Sequence, residues 1–354
     1  MEKSEILTEL RKFKDNGKKI IGLFPHQMVP EEIVHASGAI PLKLCFSGTE
    51  EISMKGTEYL TAATCPLARS IIGFFEEGNE FFSLIDAFIG GNYCNGDLCA
   101  SEYITKYFKL PLIHLPIPWI INPHAVKFYQ SLLLNLKQSI ENILNVQISD
   151  EDISKSINVY NQVRETFQEI APKIGMGTHL QELLNEFYLL GPDIFLQNLK
   201  NKLSHNVEDN LNNPTIAFTG SYVGIDDPIL DLIENRGLYI KYNDSESIFY
   251  FDKLIPSGDP IPTLAQFYLQ DHNSSRMLNS EKRTNQLIAK AKSLNVDGII
   301  LHVLKFCDPY VATKVDVKNL LKDNDFAVLE IERDYNESVE QLKTRIEAFR
   351  EMLK

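Results

Sequence analysis

The sequence predicts an α/β protein built as two Rossmann- or flavodoxin-like parallel-sheet domains with a helical subdomain between them. Three observations predict it. Short runs rich in Ile, Val, Leu and Phe recur with stretches of helical spacing between them, the alternation that builds βα units on a parallel sheet. These runs fall into two groups. Between the groups, over about residues 123–205, strand signals vanish and apolar residues recur at helical intervals instead.

The first group has strand candidates at 20–24, 40–46, 84–90 and 111–115, which predicts an N-terminal α/β domain over 1–122. The middle block reads as three amphipathic helices, AVKFYQSLLLNLKQSIENIL, DISKSINVYNQVRETFQEI and HLQELLNEFYLL, a helical subdomain over 123–211. Asn212-Asn213-Pro214 then marks a break. The second group, at 215–219, 238–242, 298–305 and 326–331, predicts a C-terminal α/β domain over 212–354. A chain of 354 residues is too long for one ordinary core and matches two or three units of roughly 100–200 residues.

Composition excludes several classes of function. The chain is 44% hydrophobic and 10% aromatic, which is globular, and its apolar runs fall far short of the ~20 residues of a membrane helix. The net charge of −13, without a clustered Lys/Arg patch, argues against a nucleic-acid surface. The first stretch, MEKSEILTELRKFKDNGKK, is charged and amphipathic with no secretory pattern, so a cytoplasmic location is expected. Neither a GxxxxGK[ST] loop nor a GxGxxG turn occurs, so no nucleotide site of the chain's own is expected. The turn Thr219-Gly220-Ser221-Tyr222-Val223-Gly224 follows a strand and reads as a tight connection before it reads as an anion site.

Five cysteines spread over a long chain do not make a disulfide framework. Three of them fall where ligands of α/β sheets sit, beyond the carboxyl ends of strands or at helix starts. Cys94 follows the run at 84–90 within GGNYCNGDLC, and Cys307 follows the run at 298–305 within KFCDPY. Cys65 precedes Pro66, a residue suited to a helix first turn, where the helix dipole favours thiolate. Cys45 lies inside the apolar run LKLCF and reads as a small buried hydrophobe. Cys99 lies five residues beyond Cys94 and could line the same pocket without being a ligand. Spacing alone leaves an iron–sulfur cluster, zinc and three buried bystanders all open.

The words around these cysteines resemble the 2-hydroxyacyl-CoA dehydratase and benzoyl-CoA reductase subunit family. The resemblance runs through PHQMVPEEIVHASGAIPLKL, TCPLARSIIG, IDAFIGGNYCNGD, VDGIILHVLKFCDPY and AVLEIERDYNESVEQLKTRIEAF, nearly the whole chain. It implies a 4Fe-4S cluster held in an interdomain cleft by Cys65, Cys94 and Cys307, with the fourth iron position open. It also implies a separate ATP-dependent activator with its own cluster that supplies one low-potential electron, a homodimer or a heterodimer with a paralogous subunit, and an acyl-CoA substrate. The implied chemistry is dehydration or reduction. Reducing a 2-hydroxyacyl thioester by one electron makes an otherwise non-acidic β-proton removable and expels the α-hydroxyl.

By the same resemblance, the loop that carries His26 and Gln27 approaches the cluster, and these two are the candidate catalytic residues. Glu31 and Glu32, at the start of the next helix, read as carboxylates favoured by the dipole. An ion pair of Arg345 with Glu332 or Asp334 is expected near the C-terminus. Two segments depart from the family pattern: YNDSESIFYFDK and LQDHNSSRM lack cysteines that many relatives carry. Alternatives are a homodimeric small-molecule reductase with a double-cubane cluster and a non-catalytic electron-transfer or sulfur-handling protein. A double cubane needs more thiolates than one chain supplies, so it would have to cross a dimer interface.

Overall fold

In the computed structural model, the structure describes residues 1–26, 28–199, 213–248, 251–256, 258–272, 274, 276, 278, 280–335 and 338–353. All eight expected strands form: β1 (Ile20–Leu23), β2 (Ile40–Lys43), β3 (Ala87–Gly90), β4 (Leu112–His114), β5 (Thr215–Gly220), β6 (Tyr239–Asn243), β7 (Gly298–Leu304) and β8 (Ala327–Arg333). They build two four-stranded sheets ordered β2-β1-β3-β4 and β6-β5-β7-β8, with every pair parallel. Helices cover both faces of such sheets, so inner strands read as unbroken apolar runs. β1 and β7 are buried along their whole length.

Between the sheets run helices Pro123–Leu144, Asp150–Ile174, Thr178–Leu190 and Pro192–Leu199. Their apolar stripes, such as Tyr129, Leu133, Leu136 and Ile140 on the first, join the core of the N-terminal sheet. Among the described residues, no helix is long and apolar enough to cross a membrane. Asn212 lies outside the described residues; Asn213 and Pro214 lead into β5.

Glu31 and Glu32 are more than dipole carboxylates. Both are buried: Lys43 Nζ lies 2.8 Å from Glu31 Oε1, and Arg164 Nη2 lies 2.6 Å from Glu32 Oε1 with both side chains fully enclosed. The Tyr268 hydroxyl donates to the other Glu32 oxygen at 2.8 Å. The first βα helix is thereby wired to the helical layer by charge. His35 on the same helix faces Ser156 and Asp193 at 2.8 and 2.9 Å.

The two sheets are stitched together just past β2 and β5. Cys45 is not within a strand; it lies in a crossing segment where Phe46 forms a parallel bridge with Ile225. Ile225 N donates to the Cys45 carbonyl at 2.8 Å, and Ser47 N donates to the Ile225 carbonyl at 2.9 Å. The turn at 219–224 is therefore filled by protein. A Cβ on Gly224 would stand 2.6 Å from the Cys45 carbonyl oxygen, and the next helix, Ile229–Glu234, has only six residues. The tight-connection reading holds.

The C-terminal ion pairs differ from expectation. Asp334 binds Arg69 at 2.7 Å, Glu332 pairs with Lys314, and Arg345 donates to the Glu330 carbonyl. Arg69 stands one turn beyond Cys65, and Asp334 directly follows β8, so this pair joins the helix behind Cys65 to the second sheet.

Candidate functional site

In a sheet ordered 2-1-3-4, the connections leaving the two central strands diverge and open a crevice at their carboxyl ends. The loops after β1 and β3 carry His26 and Cys94, so both flank the crevice of the first sheet. In the second sheet the corresponding loops follow β5 and β7, and the latter carries Cys307.

Each of the three cysteines stands at the N-cap of a helix that begins on a turn-forming residue. Cys65 precedes helix Pro66–Glu77, Cys94 precedes Asn95–Phe108, and Cys307 precedes Asp308–Val311, with Pro at the start of the first and the third. Backbone approach fixes the first of these helices. A Cβ on Gly56 would stand 1.9 Å from the Arg69 carbonyl oxygen, and one on Gly73 would stand 2.0 Å from that of Ile52. Helices Glu50–Gly56 and Pro66–Glu77 therefore touch backbone to backbone. Gly96 does similar work between the other pair: its Cβ position is 3.2 Å from Ala68 Cβ and 3.7 Å from Cys94 Sγ.

The three cysteines stand around this junction, with the Cys307 thiol close enough to interact with Cys65 and electrostatically with Cys94. The Asp97 backbone N–H donates to Cys94 Sγ at 3.4 Å. Interaction with Cys65, followed by burial, pushes the Cys307 thiol well above its ordinary range. Burial and then the Asp97 carboxylate do the same to Cys94. Burial raises Cys45 to about 12, and Cys45 takes its place in the crossing segment instead. Cys99 is exposed.

Against the thiols lies a buried charge network that sequence reasoning missed. His26 is 2% exposed, with Nε2 2.7 Å from Asp97 Oδ2 and Nδ1 3.4 Å from Glu246 Oε2. Arg276 reaches the same two carboxylates: Nη2 lies 2.6 Å from Glu246 Oε2, and Nη1 lies 3.4 Å from Asp97 Oδ2 and from the Tyr93 carbonyl. Burial and the Arg276 charge pull His26 toward neutrality, but Asp97 and Glu246 outweigh them and its pKa ends above the ordinary value. Burial opposes ionisation of Asp97, and His26 and Arg276 outweigh it to hold the carboxyl below its ordinary range. Gln27, the other candidate, lies outside the described residues.

Glu246 also lines a cleft of about 980 Å³ between β6, helix Ser280–Ser293 and the end of helix Asp150–Ile174. Lys241, Arg283 and Lys290 bring cations to its wall beside the carboxylates of Asp244, Glu246, Asp252 and Asp271, and Tyr310, three residues past Cys307, forms part of it. A ligand-sized space thus adjoins the thiols. Among the described residues, no three His, Cys, Asp or Glu side chains converge on a point one metal ion would occupy.

Residues 27–353 match the family described as 2-hydroxyglutaryl-CoA dehydratase, D-component. Relatives include the (R)-phenyllactyl-CoA dehydratase beta subunit of Clostridium sporogenes, 23% identical with 97% of this chain and 94% of that protein covered. The beta subunit of (R)-2-hydroxyglutaryl-CoA dehydratase of Acidaminococcus fermentans is 24% identical, with 98% and 95% covered. A benzoyl-CoA reductase subunit of Thauera aromatica is 24% identical, with 85% and 82% covered. The chain belongs to the 2-hydroxyglutaryl-CoA dehydratase D-component family.

Proposed function

For a chain of this family, we propose the role of iron–sulfur subunit in a dehydratase or reductase that acts on a CoA thioester, with Cys65, Cys94 and Cys307 as ligands of one 4Fe-4S cluster. The observation that carries the reading is that three thiols stand at three helix starts drawn from both halves of the chain, with Cys307 interacting with each of the other two, near a cleft of about 980 Å³. The donor set fits. Soft thiolate is the iron–sulfur donor, and backbone N–H groups at helix starts stabilise its charge. The raised thiols fit as well, since burial at Cys94, and the neighbouring Cys65 together with burial at Cys307, keep them neutral until a cationic body takes the place of their protons.

When bound, such a cluster would supply a one-electron relay and an iron able to polarise a carbonyl or hold a leaving hydroxyl. The chain's own residues do the remaining work. Lys241 and Lys290 are the proposed partners of the phosphates of a CoA thioester, and the reacting end is proposed to lie at the Glu246 and Tyr310 side of the cleft. His26 holds a proton between Asp97 and Glu246 and is the proposed acid–base group. Gln27 is proposed to polarise the substrate from the same loop. The roomy cleft favours an enzyme over a bare electron carrier. With Cys45 committed to the crossing segment, one cubane per chain is favoured over a double cubane.

The partners proposed are a separate ATP-dependent activator and a second subunit, paralogous or identical. The named relatives are themselves subunits of dehydratases and of a reductase, which supports a multi-component enzyme. The test is anaerobic purification, iron and acid-labile sulfide analysis, and EPR of the dithionite-reduced protein. Iron and sulfide should be present, lost or destabilised in Cys307→Ser and retained in Cys45→Ser. Zinc without sulfide, or the reverse pattern in the two variants, overturns the assignment.

A further inference from the structure

Among the groups around the thiols, Arg276 stands apart because it is a strong cation that is nearly fully buried. A guanidinium stays charged at any ordinary pH, so enclosing it requires partners for that charge. Among the described residues it has two, Glu246 at 2.6 Å and Asp97 at 3.4 Å, carried on segments that follow strands of different sheets. Its third contact is the carbonyl of Tyr93, the residue immediately before Cys94. The carboxylates thus fix the guanidinium against the turn that presents a thiol.

We propose that Arg276 is a positioning residue for electron transfer: a fixed countercharge, clamped by Asp97 and Glu246, that eases one-electron reduction of the group held by Cys65, Cys94 and Cys307. This rests on the iron–sulfur reading above. The step is an outer-sphere transfer in which an external low-potential donor loses one electron and the cluster gains one, with no bond made or broken. Reduction adds one negative charge inside a poorly screened enclosure, where a nearby fixed cation stabilises it and a nearby carboxylate opposes it. Arg276 and Glu246 must then act with opposite sign, although they form one ion pair. Buried surroundings couple the guanidinium to both Cys94 and Cys307, in keeping with that role. A purely structural clamp makes a different forecast, because loosening it from either end would disturb the site in the same direction.

The experiment is an EPR-monitored redox titration of the anaerobically purified full chain, wild type against Arg276→Gln, Arg276→Lys and Glu246→Gln. Expected are a more negative midpoint in Arg276→Gln, a midpoint near wild type in Arg276→Lys, and a less negative midpoint in Glu246→Gln. Glu246→Gln keeps the hydrogen-bonding shape, so this variant reads the sign even if Arg276→Gln does not fold. Shifts of Arg276→Gln and Glu246→Gln in one direction, an unshifted Glu246→Gln, or equal shifts in Arg276→Lys and Arg276→Gln overturn the proposal. If wild type carries no iron or sulfide, it is the cluster reading that fails, and this is seen before any variant is titrated.

Discussion

Acidification should weaken this fold through one residue, His302 of β7. It is fully buried, Nε2 accepts from Arg333 Nε at 3.0 Å, and Nδ1 faces the Ser221 carbonyl at 3.3 Å. Those contacts suit the neutral ring with its proton on Nδ1. A second proton would have to sit on Nε2 against the Arg333 guanidinium, which Asp227 anchors at 2.6 Å. Burial first, then Arg333, push the pKa from 6.5 down to about 3. The unfolded chain therefore binds a proton below pH 6.5 that the folded chain refuses until about pH 3, so this stability is complete above 6.5 and lost as pH falls. At pH 5 the gap is about 1.5 units, or about 2 kcal/mol at about 1.4 kcal/mol per unit. Urea unfolding of the wild type at pH 7.5 and pH 5.0, beside His302→Gln, isolates it. The wild type should lose about 2 kcal/mol more than the variant over that interval, since every other titrating group, His26 included, is common to both. Equal losses in the two proteins would refute a neutral buried His302.

The other predictions concern packing and reactivity. Removing one partner of the enclosed Arg164–Glu32 pair, as Arg164→Met or Glu32→Gln, should cost about 3–5 kcal/mol in denaturant unfolding, and the double change Glu32→Leu with Arg164→Met should cost much less. Gly56→Ala should lower stability by about 1–3 kcal/mol, because the Arg69 carbonyl occupies the space of the new methyl and the two helices must separate; thermal unfolding reads it. In metal-free protein, iodoacetamide followed by mass spectrometry should label exposed Cys99 first and buried Cys45 and Cys307 only on denaturation.

The strands were legible because helices cover both faces of a parallel sheet, which leaves continuous apolar runs such as IIGL and GIILHVL. Their ends were less so. The run at 84–90 begins as a short 3-10 turn, Phe82–Leu84, and enters the sheet only at Ala87, since an apolar run does not say where pairing starts. The cysteines were legible because each precedes a helix-starting signal, Pro66, Asn95-Gly96 or Asp308-Pro309, that is local chemistry. Charge partners were not. Asp334 reads as a match for nearby Arg345, yet its partner Arg69 lies 265 positions earlier. A buried carboxylate requires a cation, but periodicity does not say which carboxylates are buried.

Asp97 shows how such a residue hides. It sits in the first turn of a helix, where an acidic residue is expected on dipole grounds alone, and nothing nearby marks it as a partner of His26 and Arg276. Glu246 offered one signal, its position three residues beyond β6 at the carboxyl end of the sheet, the rule that singled out the cysteines. Arg276 offered none, since its segment carries no periodicity. The two segments that stood out for missing cysteines are the ones that deliver Glu246 and Arg276 to the thiols. A stretch that departs from its family's pattern at a shared site is therefore to be read for what its charges supply as well as for the ligands it lacks. Here Glu246 and Arg276, brought in on separate segments, set opposed charges beside Asp97 and His26, and a substitution at either one shifts the balance of the whole enclosure.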